Sequence, residues 1–429
     1  MPNTRVFYAI QQVAFKDNAS AATSGVAFTN AREYPASAFA TAKDEVGGLW
    51  EAPRGVTNFQ VTTTFVTEQA FQLGQLELYE VSQRQPNIQA TVEKVIDGTK
   101  PIFFMVTDPA YSANIVGKTQ SFRSDVALTI YADTQTKAAG APKSIVTLSG
   151  MYLSAIQYTF PQDGPVTEQL TFVGNDKLWG LFDTAVSGHS PISSVGTAAG
   201  SDAHVPMGIP QASIASGLLE LAAGTAVTSV STVVGSGIQR REEIDISRSV
   251  LPKELPGCSG HASDTIQASG VGGLSGQTVT RYWANTVNLI EHITSITTSV
   301  DLGREDIFEA GSKRPYAKYV TFPIQTTLAI EVVTSLGDLI EATAGVDCGP
   351  DTLTNSTCII RTCEGLQVDL GDALILDSID TGGGGTDGAN RTVTYNYKGF
   401  NTFNVTHDYF NPGHRIFVQK SAGSRFNIS

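Results

Sequence analysis

An internal repeat is the feature that most constrains this chain, because the segment around Glu68 recurs around Glu305, at an offset of 237 in the numbering. The match holds without a gap over nineteen positions, and five of these are identical, where average residue usage gives about one by chance. The identical pairs are Glu68 and Glu305, Phe71 and Phe308, Gly74 and Gly311, Tyr79 and Tyr316, and Pro86 and Pro323. Since self-similarity at a fixed offset indicates repeated structural units, we expect two copies of one unit.

The sequence on either side of this repeat signature predicts strands in both copies. Residues 59–65 and 293–300 alternate polar and apolar side chains, as a strand with one buried face does. Residues 88–96 and 324–333 follow the signature and are again strand-like, with a one-residue shift between the copies when Ile88 is placed opposite Ile324. Each signature is therefore predicted to lie between two strands.

A second pair of segments matches further along the chain, where residues 145–179 parallel residues 359–403. Both contain a predicted hairpin, with glycine in the turns at residues 162–165 and 381–390. Because order and spacing agree over more than a hundred residues, duplication is favoured over a chance likeness of two β-rich stretches.

The repeats divide the chain into four predicted parts. Residues 1–48 form an N-terminal arm or a strand that packs on a neighbour, and residues 49–180 form a first β domain. Residues 181–284 form a Gly/Ala/Ser-rich linker or insertion with one short helix at 209–223, and residues 285–429 form a second β domain. A length of 429 residues favours two domains with separate cores over one unbroken core.

Charge limits the functions that this chain can serve. Only 16% of the residues are charged, against about 25% in typical soluble domains, which favours a surface covered by other subunits. A monomeric β protein with an uncharged polar surface is the alternative. The net charge is −13, and no basic stretch exceeds a pair such as Arg240 and Arg241, which argues against binding of nucleic-acid phosphates.

Targeting and cysteine signals point to a protein that is made and kept in the cytoplasm. No stretch approaches the roughly 20 apolar residues that span a bilayer, and the first residues lack the apolar run of a secretion signal. Four cysteines are too few for a disulfide framework, and the spacing of Cys358 and Cys363 is not that of a zinc knuckle. We therefore expect free thiols.

No catalytic, cofactor or metal site is predicted. Residues 383–388 formally match a glycine-rich nucleotide loop, but predicted strands flank them on both sides, which favours a hairpin loop. The six histidines form no metal-binding pair at helical spacing, and no nucleophile elbow is present.

The densest mixed-sign segment is residues 301–306 with the basic residues that follow. It is either a solvated loop between strands, which adds little stability, or a loop of complementary charge that sets the register against the next subunit or ring. The candidate inter-subunit or inter-ring residues are Asp301, Arg304, Glu305, Asp306, Lys313, Arg314, Lys318, Gly383 and Asp387.

Residues 299–311, 315–323 and 395–403 resemble the tail tube proteins (major tail proteins) of tailed bacteriophages, and residues 67–74 and 173–175 echo them in the first copy. The resemblance covers both repeats, but its motifs are structural and less specific than a catalytic signature. It implies a mainly β chain with two tandem β-sandwich or split-barrel domains, each with a short flanking helix. In this family six such folds close a ring around one continuous β-barrel, which removes exposed sheet edges.

The resemblance further implies a structural virion protein without enzymatic activity or cofactor, assembled in the host cytoplasm. Two folds per chain favour three chains per ring, with six chains as the alternative if one copy lies outside the lumen. The implied partners are other copies of the chain, a tape-measure protein, and sheath, tail-terminator and baseplate proteins. Phage DNA would pass through the lumen without specific binding.

Three other functions are open to a β-rich chain of this kind. The first is a tail-tip, head–tail joining or baseplate ring protein with the same fold. The second is a carbohydrate-binding β-sandwich, although Trp50, Trp179 and Trp283 lie near repeat boundaries, as packing residues would. An enzyme whose residues converge only in space is the third.

Overall fold

The computed structural model shows a mainly β chain with antiparallel strand pairing throughout, which confirms the predicted fold class at that level. No barrel is closed among the described strands. The predicted helix at 209–223 lies outside the described residues. The structure describes residues 11–17, 50–51, 53–74, 78–83, 85–99, 101–106, 123–130, 144–181, 238–245, 251–252, 254–255, 264–267, 278–281, 292–310, 315–333, 355–382, 391–407 and 414–415.

The secondary structure falls into two groups of elements, or series, which we call the first half and the second half of the chain. The first series is β1 (Gln11–Asp17), β2 (Trp50–Glu51), β3 (Val56–Thr64), β4 (Thr67–Phe71), β5 (Leu78–Gln83), β6 (Asn87–Val95), helix α1 (Ile102–Val106), β7 (Arg123–Ile130), β8 (Ser144–Phe160), β9 (Thr167–Gly174) and β10 (Asp176–Leu181). The second series is a 3-10 helix (Arg241–Glu243), β11 (Ile244–Asp245), β12 (Asp264–Gln267), β13 (Thr278–Arg281), β14 (His292–Asp301), β15 (Arg304–Phe308), β16 (Pro315–Val320), β17 (Gln325–Val333), β18 (Ile359–Thr362), β19 (Leu366–Asp369), β20 (Ile375–Gly382), β21 (Thr392–Phe400), β22 (Asn404–His407) and β23 (His414–Arg415).

The largest sheet contains eight consecutive neighbours in the order β3-β6-β9-β8-β14-β17-β21-β20. We call this run the main series. Its first four strands come from the first half of the chain and its last four from the second half. Strands β2, β1, β7 and β10 extend the same sheet along the other end of β8, and β11-β18-β19-β22-β23 form a separate sheet.

The two signature hairpins have the same register. Every residue pair between β4 and β5 recurs between β15 and β16 at an offset of 237. For example, the pair of Thr67 with Gln83 corresponds to the pair of Arg304 with Val320. Both hairpins also carry a bulge at the same place, after Ala70 in the first half. A bulge re-aims the side chains that follow it, so its recurrence means that both hairpins direct their residues alike.

The strands of the main series agree in the same way. The β8–β9 pair has a bulge after Leu153, and the β20–β21 pair has one after Leu376, which corresponds to an offset of 223. Strand β6 corresponds to β17 at an offset of 238, so that Ile88 corresponds to Thr326 and not to Ile324 as the sequence comparison indicated. That error preserves the buried face, because Ile324 and Thr326 are separated by one full period of side-chain alternation.

Strand β8 is one long strand, whereas its counterpart in the second half is divided. The first half of β8 pairs with β7 and β10, and its second half pairs with β9 and β14. In the second half of the chain β19 lies in the small sheet and β20 in the main series. The chain turns between these two strands at Gly371, whose φ of +80° is in the left-handed region that favours glycine.

The buried side chains form one continuous cluster, where two separate cores were expected. Tyr158 of the first half stacks on Phe403 of the second, with ring centroids 6.5 Å apart and an interplanar angle of 19°. Phe104 of α1 meets His407 edge to face at 6.2 Å. Aromatic contacts of this geometry add to the free energy of burial, so the two halves stabilise one another.

Segments predicted as an arm and a linker contribute to this packed body. Strand β1, within the predicted arm, pairs with β7 and buries Phe15. Gln239, within the predicted linker, donates its N–H to the Ile96 carbonyl at 2.8 Å, and its carbonyl accepts from the Val166 N–H at 2.8 Å. Strand β11 pairs with β18. No described helix is long and apolar enough to span a membrane.

We predict that Gly371→Ala lowers the free energy of unfolding by about 2–4 kcal/mol, as left-handed backbone strain combines with a clash. A Cβ at this position would lie 2.6 Å from Thr402 Cγ2. The control is Gly164→Ala, since Gly164 has φ +105° but no atom within 4 Å of where a Cβ would lie. Urea unfolding should show the larger loss for Gly371→Ala; equal losses would mean that the Thr402 contact has no effect.

Candidate assembly interface

The two halves of the main series meet where β8 pairs with β14. Six residue pairs run from Phe160 opposite Ile296 to Ala155 opposite Asp301. We call this pairing the internal joint. Just beyond it, the Leu302 N–H donates to the Ser154 carbonyl at 2.8 Å, and the Leu302 side chain is fully buried. The joint therefore combines a ladder of backbone hydrogen bonds with a buried leucine side chain, Leu302, at its end.

Arg304 fastens the β15–β16 hairpin to the first half of the chain. Its Nε donates to the Leu153 carbonyl at 2.9 Å, and its guanidinium lies 5.3 Å from the centre of the Tyr152 ring. Its Nη1 also donates to the Lys318 carbonyl at 3.2 Å. Burial lowers the pKa of Arg304 to about 10, so the guanidinium is charged at neutral pH. A half-buried cation over an aromatic face is a stabilising contact.

On one side, neither outer strand of the main series, β3 or β20, pairs with another described strand, and we call that side its free edge. Among the described strands β3 pairs with β6 alone and β20 with β21 alone. Ile296 in β14 is buried at the joint, but its counterpart in β3, Phe59, is only half-buried. Likewise Ile156 in β8 is buried, and its counterpart in β20, Ile379, is half-buried. Both edges thus present the apolar side chains that the internal joint covers.

Two exposed apolar residues also correspond to positions that are buried just outside the internal joint. Phe65 is 64% exposed, whereas its second-half counterpart Leu302 is 0% exposed. Ile375 is 38% exposed, whereas its first-half counterpart Tyr152 is 7% exposed. Exposed apolar side chains next to an unpaired strand edge are typical of a protein-binding surface.

The face of the main series that points away from the core is polar and mostly uncharged. Thr, Ser, Gln and Asn occupy most of its positions, following the period of two along each strand. We call this surface the open face. Glu93 and Glu331 correspond to one another at an offset of 238, so each half contributes a carboxylate at the same place. Among the eight described strands, the Asp, Glu, Lys and Arg residues of the open face are Glu93, Asp301, Glu331, Asp377, Asp380 and Lys398.

The predicted charged residues divide between the joint and the hairpin. Asp301 Oδ1 accepts the Gly303 N–H at 2.9 Å, and Asp306 pairs with Lys318 inside the hairpin. Glu305 is exposed. Asp301 therefore meets the first half through the backbone ladder, opposite Ala155, and Arg304 meets it through its side chain. Lys313, Arg314, Gly383 and Asp387 lie outside the described residues.

The repeat-signature residues lie on the hairpins and at the start of the following strands. Phe71, Phe308 and Tyr79 are 73%, 56% and 66% exposed, so these identities do not reflect core packing. Gly74 has φ +89° in the hairpin turn. The Pro86 carbonyl accepts from Asn175 at 2.9 Å. Gly311 and the side chain of Tyr316 lie outside the described residues; Glu68, Glu305 and Pro323 are exposed.

A buried ionic cluster, which the sequence patterns did not predict, occupies the first half. Glu168 accepts from the Ile102 N–H at 2.7 Å, the Phe103 N–H at 3.2 Å and the Tyr158 hydroxyl at 2.8 Å, and so holds the start of α1. Lys94 Nζ, also fully buried, pairs with Asp97 at 3.1 Å. Burial raises the pKa of Glu168, while Lys94 and the three donors lower it. The sequence signal for this cluster is a charged residue at an inward position of a strand, Lys94 in β6 and Glu168 in β9.

Glu364, on the turn between β18 and β19, joins this cluster from the second half of the chain. Its side chain is 1% exposed, and burial raises the pKa of its carboxyl to about 7, against the opposing effects of Lys94 and the Gly98 N–H. Asp97 and Glu168 add repulsion that raises the pKa further. Glu364 is therefore a pH-sensitive contact between the two halves.

Metal and thiol chemistry receive no support in the described part of the chain. No group of three or more His, Cys, Asp or Glu residues described here is placed to hold a metal ion. Cys358 is a buried free thiol and Cys363 an exposed one.

No protein-family model matches this chain, and no curated protein matches it. The internal joint, the free edges and the open face are therefore the features that bear on function.

We predict that stability falls as pH rises from about 5 to about 7, and that Glu364→Gln weakens this dependence. The pKa of folded Glu364, about 7, exceeds the unfolded value of 4.5, so folding retains a proton that the unfolded chain releases. This contribution to stability is fully present below the unfolded pKa and is lost as the pH rises through the folded pKa. The difference between the two pKa values corresponds to about 3 kcal/mol at most. Urea unfolding at several pH values would measure it. Glu80→Gln, at an exposed carboxyl, should leave the slope unchanged; an unaltered slope in Glu364→Gln would contradict the assignment.

Proposed function

We propose that this chain is the subunit of the tail tube of a tailed bacteriophage, a structural protein that polymerises into stacked hollow rings. The main observation in support is the main series itself. Two four-stranded halves join edge to edge within one chain, and the same two kinds of edge are free at its ends. A chain with this arrangement can add further copies of itself through the contact that it already makes internally.

Duplication of one ancestral unit accounts for the two halves. Their hairpins share every register pair, and their main-series strands share the bulges after Leu153 and Leu376. Gly174 and Gly399 also correspond, and each leaves room for a nearby side chain, that of Met151 and that of Leu374 respectively. Separate origins would have to reproduce all of these details.

Repetition of the joint between chains favours a ring. The β3 edge and the β20 edge differ, so their contact is head-to-tail, and such contacts generate rings when the rotation closes. Closure would pair both outer edges of the main series and produce a barrel. With two units per chain, three chains supply the six units implied by the resemblance. Six chains per ring is the alternative if one unit lies outside the lumen.

The open face suits the wall of a DNA conduit. Hydroxyl and amide side chains offer DNA no cation, and the excess of carboxylates repels phosphates. DNA, and before it a tape-measure protein, would pass without being held. Sheath, tail-terminator and baseplate proteins would contact the outside and the ends of the tube in the virion, after assembly in the host cytoplasm.

Negative-stain electron microscopy of the purified chain at high concentration tests the proposed tube directly. We expect hollow tubes or stacked rings. A ring mass of three times the chain mass of 45.4 kDa would establish three chains per ring, and a mass of six times that value would establish six. Rings that never stack would indicate a tail-tip, head–tail joining or baseplate protein, and monomers under all salt conditions would contradict ring assembly.

Charge reversal on the open face tests its role as the lumen wall. We predict that Glu93→Lys with Glu331→Lys permits tube formation but makes tubes retain short duplex DNA in a salt-dependent manner, because each unit gains a phosphate-binding cation. Co-sedimentation of labelled DNA with tubes assembled in its presence measures retention. Glu80→Lys with Glu242→Lys makes the same change in charge at exposed positions elsewhere. Equal retention by both variants would place the open face outside the lumen.

A further inference from the structure

We infer that the free edge of β20 in one copy of this chain pairs with the free edge of β3 in a second copy, in the register of the internal joint. The inference rests on the proposed ring assembly and names the contact that would form the ring. It does not depend on the stacking of rings into a tube. It follows from the two offsets that relate the joint strands to the edge strands, 223 from β8 to β20 and 237 from β3 to β14.

The offsets specify the residue pairs. Ala155 opposite Asp301 in the internal joint becomes Ser378 of one copy opposite Thr64 of the next. Four further pairs of described residues follow in antiparallel order and end at Gly382 opposite Gln60. A shift by one residue would turn the half-buried apolar side chains of both edges to the wrong face, so burial also specifies the register.

Burial supports a second copy of this chain as the occupant. At the internal joint the inward residues Ile156 and Ile296 are each about 1% exposed, and each has an apolar counterpart that is only half-buried at a free edge, Ile379 and Phe59. Each edge therefore lacks the kind of neighbour that the other edge would supply. A foreign strand could provide hydrogen bonds, but the match of both edges to the internal joint is specific to this chain.

The β4–β5 hairpin extends the contact. Leu302 at the base of the β15–β16 hairpin is buried beyond the end of the internal joint, where its N–H reaches the Ser154 carbonyl. Its counterpart Phe65 is 64% exposed. In the paired copies the Phe65 N–H reaches the carbonyl of Asp377, and its ring is covered next to Ile375.

The contact between copies lacks one feature of the internal joint. The counterpart of Arg304 is Thr67, and the counterpart of Tyr152 is Ile375, so the guanidinium-on-ring contact of the internal joint has no equivalent. Loss of a cation–aromatic contact weakens an interface. The contact between copies is therefore weaker per unit than the internal joint, which keeps chains separate at low concentration and allows rings to form at high concentration.

Disulfide trapping tests the register. The double variant Thr64→Cys with Ser378→Cys should, on mild oxidation of assembled protein, give a ladder of cross-linked chains that ends at the ring size. The control pairs Thr64→Cys with Asp380→Cys, which requires a two-residue slip, and the parent chain gives the background of its own cysteines. Efficient cross-linking of the slipped pair alone, or of neither pair in rings seen by microscopy, would overturn the inference.

Substitution of Phe65 tests the hairpin contact. Phe65→Glu should raise the concentration at which half the chains are in rings by at least about tenfold, since it places a charge where an aromatic side chain is covered. Leu73→Glu is the matched control, because it introduces the same charge at a fully exposed tip residue of the same hairpin. It should form rings at the same concentration as the parent chain. Ring formation by Phe65→Glu equal to that of the parent would overturn this contact. Rings that cross-link as predicted but never stack would leave the inference intact and contradict the tube function.

Discussion

The backbone ladder between β8 and β14 is the interaction on which the rest of the structure depends. It joins two four-stranded halves into the main series and brings Tyr158 against Phe403, so that one core serves both. Without it each half would expose another unpaired edge, and unpaired N–H and C=O groups are a free-energy cost when they are covered without partners. The same physical demand applies to β3 and β20, the outer strands of the main series, each of which pairs on one side only among the described strands.

The two halves share backbone geometry but differ in how they are stabilised. Lys94 and Glu168 occupy inward positions in the first half, and their counterparts in the second half are Val332 and Val393. A buried charge needs hydrogen-bond partners, and the α1 N–H groups and the Tyr158 hydroxyl supply them to Glu168. The second half achieves the same backbone path with apolar side chains, which shows that the strand registers do not depend on the ionic cluster.

Particular residues show why sequence patterns identified the repeat but did not predict the surroundings of individual side chains. Phe71 and Phe308 were recognised because they are identical, yet both are exposed on hairpins. Identity shows that two positions match, not what surrounds them. Gln239 and Leu255 fall in a segment predicted as a linker because its neighbours are Gly, Ala and Ser, but both are buried. Short segments of a few residues are too brief to show a periodicity, so their packing could not be predicted.

The sequence by itself determined that the chain is mainly β, that its two halves carry matching signatures and that each signature lies between strands. These properties depend on side-chain alternation and local identity, which are written in the order of residues. Only the tertiary structure decided that β8 and β14 are neighbours, that Arg304 contacts Tyr152, and that Glu364 is buried near Lys94. These contacts join residues far apart in the chain, and their free energies depend on burial and on the three-dimensional register of strands, which no local pattern encodes.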